Sequence, residues 1–180
     1  MQKGGRKDMT LIYSRKANIN DIDSIMPIID DAKAFLKKAG STQWQSGYPN
    51  KQTITQDIEN NVGWVLVVDH QIAGYAAAIA GIEPTYQVID GQWHNDQDEY
   101  ATIHRMAISS QYRGMHLANY FFSNLISLQV TNNISNFRID TFKKNAVMQH
   151  LAKSNDFTIR GTIKVDDPID PERIAFELNL

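Results

Sequence analysis

The sequence predicts an α/β fold in a single domain, and three observations carry that expectation. The stretch Tyr100–Phe122 reads as a strand that feeds a helix through a short polar turn. Before it, the apolar runs Trp64–Val68 and Ile72–Ala80 flank the turn Asp69-His70-Gln71, the pattern of a buried hairpin. After it, strand-like and helix-like segments go on alternating to Leu178. A chain of 180 residues, 42% hydrophobic and 21% charged, can bury a sizeable core.

Composition excludes several classes of function. There is no cysteine, so a disulfide framework, a thiolate zinc site and an acyl-cysteine intermediate are out of reach. A net charge of -2 gives no reason to expect nucleic acid as a partner. No apolar run approaches the length of a membrane span, and no metal site is expected. Residues 1–10 are polar and basic and contain Gly4-Gly5, which predicts a disordered tail before a domain over 11–180; Met9 could be the original start. The absence of cysteine fits a reducing, cytoplasmic location.

Leu11–Arg15 alternates as a first strand. Asn20 or Asp21 caps a helix in which Ile22, Ile25, Met26, Ile29 and Leu36 keep helical spacing and Gly40 is the stop. Pro27 interrupts that pattern and predicts a kink or a break. The segment Thr42–Pro49 is a loop rich in aromatics and amides, where Trp44 and Tyr48 either wall a substrate or pin the loop to the core. Thr53–Asn60 reads as a short second helix. Trp64–Val68 suits a strand buried on both faces. Ile72–Ala80 returns with Gly74 and several alanines, small enough for another element to lie close.

Gly81–Asp98 is a long connection holding Glu83, Asp90, Asp96 and Asp98. It is either a binding loop whose carboxylates favour a cation such as an amine, or a solvated surface. Further on, Phe137–Phe142 reads as a strand and Lys143–Leu151 as a helix. Ile159–Val165 and Ile174–Leu178 are final strands joined by the turn Asp166–Pro171.

The central stretch carries the chemistry. Its strand ends at Ser109-Ser110-Gln111, and the helix is expected to begin at Tyr112-Arg113-Gly114, with an apolar stripe of Leu117, Tyr120, Phe121, Leu125 and Leu128. The first turn of a helix offers unpaired N–H groups and the positive end of the dipole, an anion site. Arg113-Gly114-Met115-His116-Leu117-Ala118 is no Walker loop, because no Gly-Lys-Ser/Thr follows. It has one glycine where the dinucleotide fingerprint has three.

This hexapeptide resembles the Arg/Gln-x-x-Gly-x-Gly/Ala turn of the GNAT family of N-acetyltransferases, with Arg113 opening the motif and Ala118 closing it. His116 stands where that family usually has its central glycine, and a helical backbone is expected there. Met106-Ala107-Ile108 is similar to the family's strand along the pantetheine arm of acetyl-CoA. Asn145, Leu151 and Phe157 match the segment Asn-x-x-Ala-x-x-Leu-Tyr-x-x-x-Gly-Phe, while Ala152 replaces its tyrosine and Asp156 its glycine. The resemblance covers about Leu11 to Leu180.

The resemblance implies a mixed, mostly antiparallel sheet splayed into a V, with helices on both faces. It implies acetyl-CoA as donor and direct transfer to a primary amine of a small molecule or peptide. Family members are often dimers, and nothing in this sequence selects a pairing surface. Amides from Gly114 through Met115, His116 and Leu117 to Ala118 would hold the diphosphate, with Arg113 adding charge. Met106, Ala107 and Ile108 would pair with the pantetheine, and an N–H there would polarise the thioester. Asn145 is either a cofactor contact or a helix cap. Strand alternation places Thr102, His104 and Met106 on one face, so His104 is a candidate base, with Glu99 in reserve. With Ala152 unable to protonate the leaving thiolate, Tyr120, Tyr112 or water is the candidate acid. The runner-up function is a non-catalytic acyl-CoA-binding sensor or interaction module. The third is an α/β domain with an unrelated ligand.

Overall fold

The computed structural model describes residues 10–180 and holds an eight-stranded sheet and four α-helices. The tail expected over residues 1–10 falls almost wholly on 1–9, outside the described residues.

Strand β1 (Ile12–Lys16) leads into a 3-10 turn, Ile19–Asp21, which opens helix α1 (Ile22–Lys38). Asn18 and Asp21 form a capping box there. Pro27 neither ends nor divides α1, so of the kink or break expected there the break does not occur. It lies early in the helix, where its missing N–H removes one bond from an element held by Ile25, Ile28 and Ile29 against the sheet. Gly40, at φ 73°, closes the helix in the left-handed conformation the sequence predicts for the stop.

Helix α2 (Lys51–Glu59) follows, capped by Asn50. Strands β2 (Gly63–Val68) and β3 (Gln71–Ala80) are the expected hairpin. The connection after β3 is more structured than a loop, with a 3-10 turn at Pro84–Tyr86 and strand β4 (Ile89–Gly91). It buries Tyr86 and Trp93, so those two rings belong to a small core with Tyr100, Ile163 and Ala175 rather than to a solvated surface.

Strand β5 (Tyr100–Ile108), helix α3 (Leu117–Val130), strand β6 (Asn136–Thr141), helix α4 (Ala146–Ser154), and strands β7 (Thr158–Lys164) and β8 (Glu172–Asn179) complete the chain. The strand order is β1-β2-β3-β5-β6-β8-β7-β4. Every neighbouring pair is antiparallel except β5 and β6. Where β4 meets β7, Gly91 pairs with Gly161, and a Cβ on either would collide with the facing backbone.

Helices cover both faces. On one, Phe121, Phe122 and Leu125 of α3 and Leu151 and Ala152 of α4 pack on Leu66, Ala76, Ala78 and Ile103. On the other, Ile25, Ile28 and Ile29 of α1 and Ile54 of α2 pack on Val65, Val67 and Tyr75. The alanines of β3 let both layers lie close. Tyr120, expected on the apolar stripe of α3, is 42% exposed, because the buried arc runs through Leu117, Phe121, Phe122 and Leu125 instead.

Candidate active site

The sheet opens at its one parallel junction. Strands β5 and β6 pair only at Tyr100–Asn136, Ala101–Phe137 and Thr102–Arg138. Beyond Thr102 they diverge, although β5 runs on to Ile108 and β6 to Thr141.

A bulge in β5 shapes this opening. Tyr75 pairs with Ala107 and Ala77 with His104, so Arg105 and Met106 together oppose Ala76. Arg105 takes the left-handed backbone, φ 58°. The extra residue breaks the alternation. Met106 packs with Ala101 and Ile103 on the α3 face, and Ala107 packs on the α1 face with Tyr75. The expectation that Thr102, His104 and Met106 share one face therefore fails, since it counted by twos across a bulge. Ser109 N donates to Ala73 O at 2.8 Å, which turns the peptide groups of Ala107 toward β3. By alternation from there, Met106 and Ile108 present theirs to the open side.

A cavity of about 260 Å³ runs through the V. From β5 it is lined by Arg105, Met106, Ala107 and Ile108, and from β6 by Asp140 and Thr141. Helix α1 and the loop after it contribute Asp31, Ala32, Phe35, Leu36, Gln43 and Trp44. The α3 and α4 side adds Ser110, Arg113, Ala118, Asn145, Val147, Met148 and Leu151.

At the α3 end, a 3-10 turn over Ser110–Tyr112 precedes the helix, which begins only at Leu117. Tyr112, Arg113 and Gly114 thus lie before the α-helix, Tyr112 in the 3-10 turn. Gly114 has φ 79°, and His116, the N-cap, has φ 56°. The helical backbone expected for His116 is wrong: the chain reverses twice through left-handed residues before the helix starts. His116 offers no side-chain cap, and the N–H groups of Leu117, Ala118 and Asn119 find no acceptor among the described residues. The Arg113 guanidinium lies over the Phe35 ring at 5.7 Å, beside the cavity mouth.

Asn145 is a helix cap. Its Oδ1 accepts from Met148 N at 3.1 Å, and its Nδ2 donates to Gln43 Oε1 at 3.1 Å. It also lines the cavity, and Gln43 ties the loop after α1 to the start of α4. Ala152 is wholly buried in the main core. The side chains that α4 turns to the cavity, Val147, Met148 and Leu151, carry no dissociable proton.

The other end is polar. Tyr86 Oη donates to Asp140 Oδ1 at 2.7 Å. Burial, and then the nearby Asp140 carboxylate, push the Tyr86 phenol well above its usual pKa, so it stays a donor. His104 Nε2 lies 3.2 Å from Glu83 Oε2, and its ring is 6.3 Å from that of Tyr86. The His104 contact holds the Glu83 carboxyl below its ordinary range, against the opposing effect of burial. Tyr75 Oη donates to Asp57 Oδ2 at 2.8 Å, and Arg105 Nε is 3.5 Å from the same oxygen. Burial raises the Asp57 pKa, and the Arg105 charge opposes it.

The cavity thus collects Met106, Ala107, Ile108, Arg113, Ala118, Asn145 and Trp44 from the expected residues. Gly114, Met115 and His116 form the exposed turn beside it, and Leu117 points into the core. Tyr48 stands outside the lining, with the Arg105 guanidinium 5.5 Å from its ring. Glu99 is exposed at the far end of β5, roughly 20 Å from Met106 at the rise of a strand. Tyr120 Oη donates to Ile12 O at 3.1 Å, away from the cavity lining. Sequence reasoning missed Asp140, Arg105, Gln43 and Asp31. Asp140 had a signal, a lone acid in the run Phe137–Phe142.

Among the described residues no helix is long and apolar enough to cross a membrane. No protein-family model and no curated protein matches this chain. Solved structures do. The chain is similar to a GNAT-family acetyltransferase from Listeria monocytogenes, at 19% identity and TM-score 0.72 over 94% of this chain and 95% of that one. It shares its fold with the ribosomal-protein-S18-alanine N-acetyltransferase of Escherichia coli, at 13% identity and TM-score 0.66 over 94% of each chain. A GNAT-family acetyltransferase from Streptococcus agalactiae is 40% identical over 94% of this chain and 95% of its own, with a TM-score of 0.85. Identity at that level along almost the whole of both chains, on the same splayed sheet, is family kinship: the chain belongs to the GNAT family of acetyltransferases.

Proposed function

We propose that this protein moves an acetyl group from acetyl-CoA to a primary amine of a small molecule or peptide by direct attack. The observation that carries this reading is the cavity through the V, which joins a free helix N-terminus and an unpaired strand edge to a carboxylate. The residues present fit the donor. Unpartnered amides at Leu117, Ala118 and Asn119, with the turn Gly114-Met115-His116 and Arg113, suit a diphosphate. The open edge of β5 at Met106 and Ile108 suits the amides of a pantetheine arm, and Val147, Met148 and Leu151 suit its apolar parts.

Acetyl-CoA supplies the acetyl group as a thioester. An N–H on the open edge of β5 polarises its carbonyl. An alkyl amine with a pKa of roughly 10 arrives protonated, so a base must take its proton. We assign that role to Asp140. Asp31 and Asp140 are the carboxylates in the lining, and only Asp140 stands on the splayed strands where the carbonyl would lie. His104 pairs with Glu83 behind Tyr86, and Tyr86 holds Asp140 in place. The amine nitrogen bonds the carbonyl carbon, the C–S bond breaks, and the thiolate leaves. With pKa near ~8.5, the thiolate can take its proton from water.

The lack of a proton donor on the cavity face of α4 favours the second reading, a non-catalytic acyl-CoA-binding module. Calorimetric titration with acetyl-CoA, beside Ala118→Glu, tests both. Ala118 is in the first turn of α3, where glutamate strains no backbone but puts charge and bulk into the cradle. Binding by wild type and its loss in the variant are expected, followed by thiol release with an amine panel. No binding by wild type sinks both readings. Binding with no transfer to any amine leaves the second.

A further inference from the structure

Arg105 is the least explained residue of the site. A left-handed backbone position costs any residue but glycine stability, and this bulge nonetheless holds an arginine at φ 58°. Its side chain is only 14% exposed. Its Nε and Nη1 are buried and have no hydrogen-bond acceptor among the described residues. Asp57, at 3.5 Å from Nε, balances part of the charge without accepting a hydrogen bond from it. The Tyr48 ring, 5.5 Å away, flanks the guanidinium. Arg105 also lines two cavities: the one through the V, and a second of about 410 Å³ walled by polar residues of α2, among them Thr53, Gln56 and Asp57.

Buried N–H groups are nearly always satisfied, and a buried guanidinium with spare donors is a fork for a carboxylate. Across the V, Asp140 on β6 presents the opposite charge. Resting on the acetyl-transfer reading above, we infer that the acceptor is an amino-acid-type zwitterion, whose carboxylate is held by Arg105 while its amine is presented to Asp140. A peptide amine, whose nearest oxygen is an amide carbonyl, satisfies the fork less well. Arg105 is thus a specificity residue for the acceptor and takes no proton in the reaction.

The test compares free amino acids with their carboxamides as acceptors, by kcat/KM at saturating acetyl-CoA. The panel includes α-amino acids, β-alanine and lysine, each beside its amide. Wild type is expected to favour the acids over their amides. In Arg105→Gln the acid-to-amide ratio falls about 10–100-fold, the range of a lost charged pair. Taking the ratio between proteins cancels the difference in amine basicity between acid and amide. The loss should appear in KM for the acid, with acetyl-CoA affinity unchanged by calorimetry. Arg105→Gln removes the cation beside the buried Asp57 and could unfold, so Arg105→Lys is run beside it. Lysine keeps the charge without the fork, and a smaller fall in the same ratio is expected. An unchanged ratio in folded variants overturns the inference. So does a loss of acetyl-CoA affinity in either variant, which would give the fork to the donor instead. Wild type that transfers to amines but ignores the carboxylate refutes this inference and spares the acetyl-transfer reading. Wild type that binds acetyl-CoA and transfers to nothing refutes both.

Discussion

The Tyr86 hydroxyl donates to Asp140 Oδ1 at 2.7 Å, although 54 residues separate them in the chain. Tyr86 is itself fixed, since its carbonyl accepts from Trp93 Nε1 at 2.9 Å and its ring stacks on Tyr100. The connection after β3 thus places the donor that orients the carboxylate at the mouth of the V. Asp140→Asn should lower kcat by about 100-fold or more, the usual range for losing a general base, with acetyl-CoA affinity intact. Tyr86→Phe should lower kcat by about 10-fold and cost about 1–3 kcal/mol of stability, because Asp140 loses its donor. Steady-state kinetics with a chemical melt check both. Full activity in Asp140→Asn would remove the carboxylate from the mechanism.

His116 is exposed and left-handed, at the N-cap of α3. His116→Gly should raise stability by about 1 kcal/mol, since glycine accepts that backbone without the Cβ clash. It should also bind acetyl-CoA at least as well, because the amides of Leu117 and Ala118 remain. A lower melting temperature would show that the imidazole stabilises the turn.

Glu177 is fully buried between Arg138 and Arg160, and it accepts from the N–H groups of His94 and Asn95. The Arg138 guanidinium lies between the rings of Trp93 and Tyr100, at 4.1 and 4.0 Å. Glu177→Gln removes one charge of this cluster and should destabilise the fold by about 3–5 kcal/mol. Amide exchange at residues 93–98 should rise before that of β5. Uniform exchange across both would mean that the loop is held some other way.

Arg15 grips Asp21 with two hydrogen bonds of 2.7 and 2.9 Å, and the Asn18 N–H donates to the same carboxylate. These contacts hold the Asp21 carboxyl below its ordinary range, with the Arg15 bond the largest cause. A depressed carboxylate contributes stability that is complete above the unfolded value of about 3.9 and is lost as pH falls through the folded value. Asp21→Asn should therefore cost about 1–2 kcal/mol at pH 7. Melting curves should converge with wild type as pH drops below about 4. A gap that persists in acid would assign the loss to packing rather than charge.

The strand–turn–helix at the centre was legible because its cues are local. Gly114, the polar turn and the apolar positions of α3 lie within one short window. The hairpin of β2 and β3 was legible for the same reason. Tyr120 was misplaced because a helical stripe read from spacing leaves the width of the buried arc open, and Phe122 took the place given to Tyr120. No break forms at Pro27, because propensity counts one lost bond and ignores the apolar face that holds the helix.

By itself the sequence determined the order of the elements apart from β4, the buried hairpin, a helix after the turn at Gly114 and the family likeness. These rest on period, capping and punctuation, which act over a few residues. Only the tertiary structure decided which side chains meet in the V. One bulge at Arg105 reverses the faces of β5 beyond it, removes His104 from the face of Met106 and brings Arg105 into the cavity lining. The parting of β5 from β6 after Thr102 brings Asp140 opposite that bulge. The reason is physical: a single residue added to one strand shifts register by one, and a pleated strand turns that shift into a change of face.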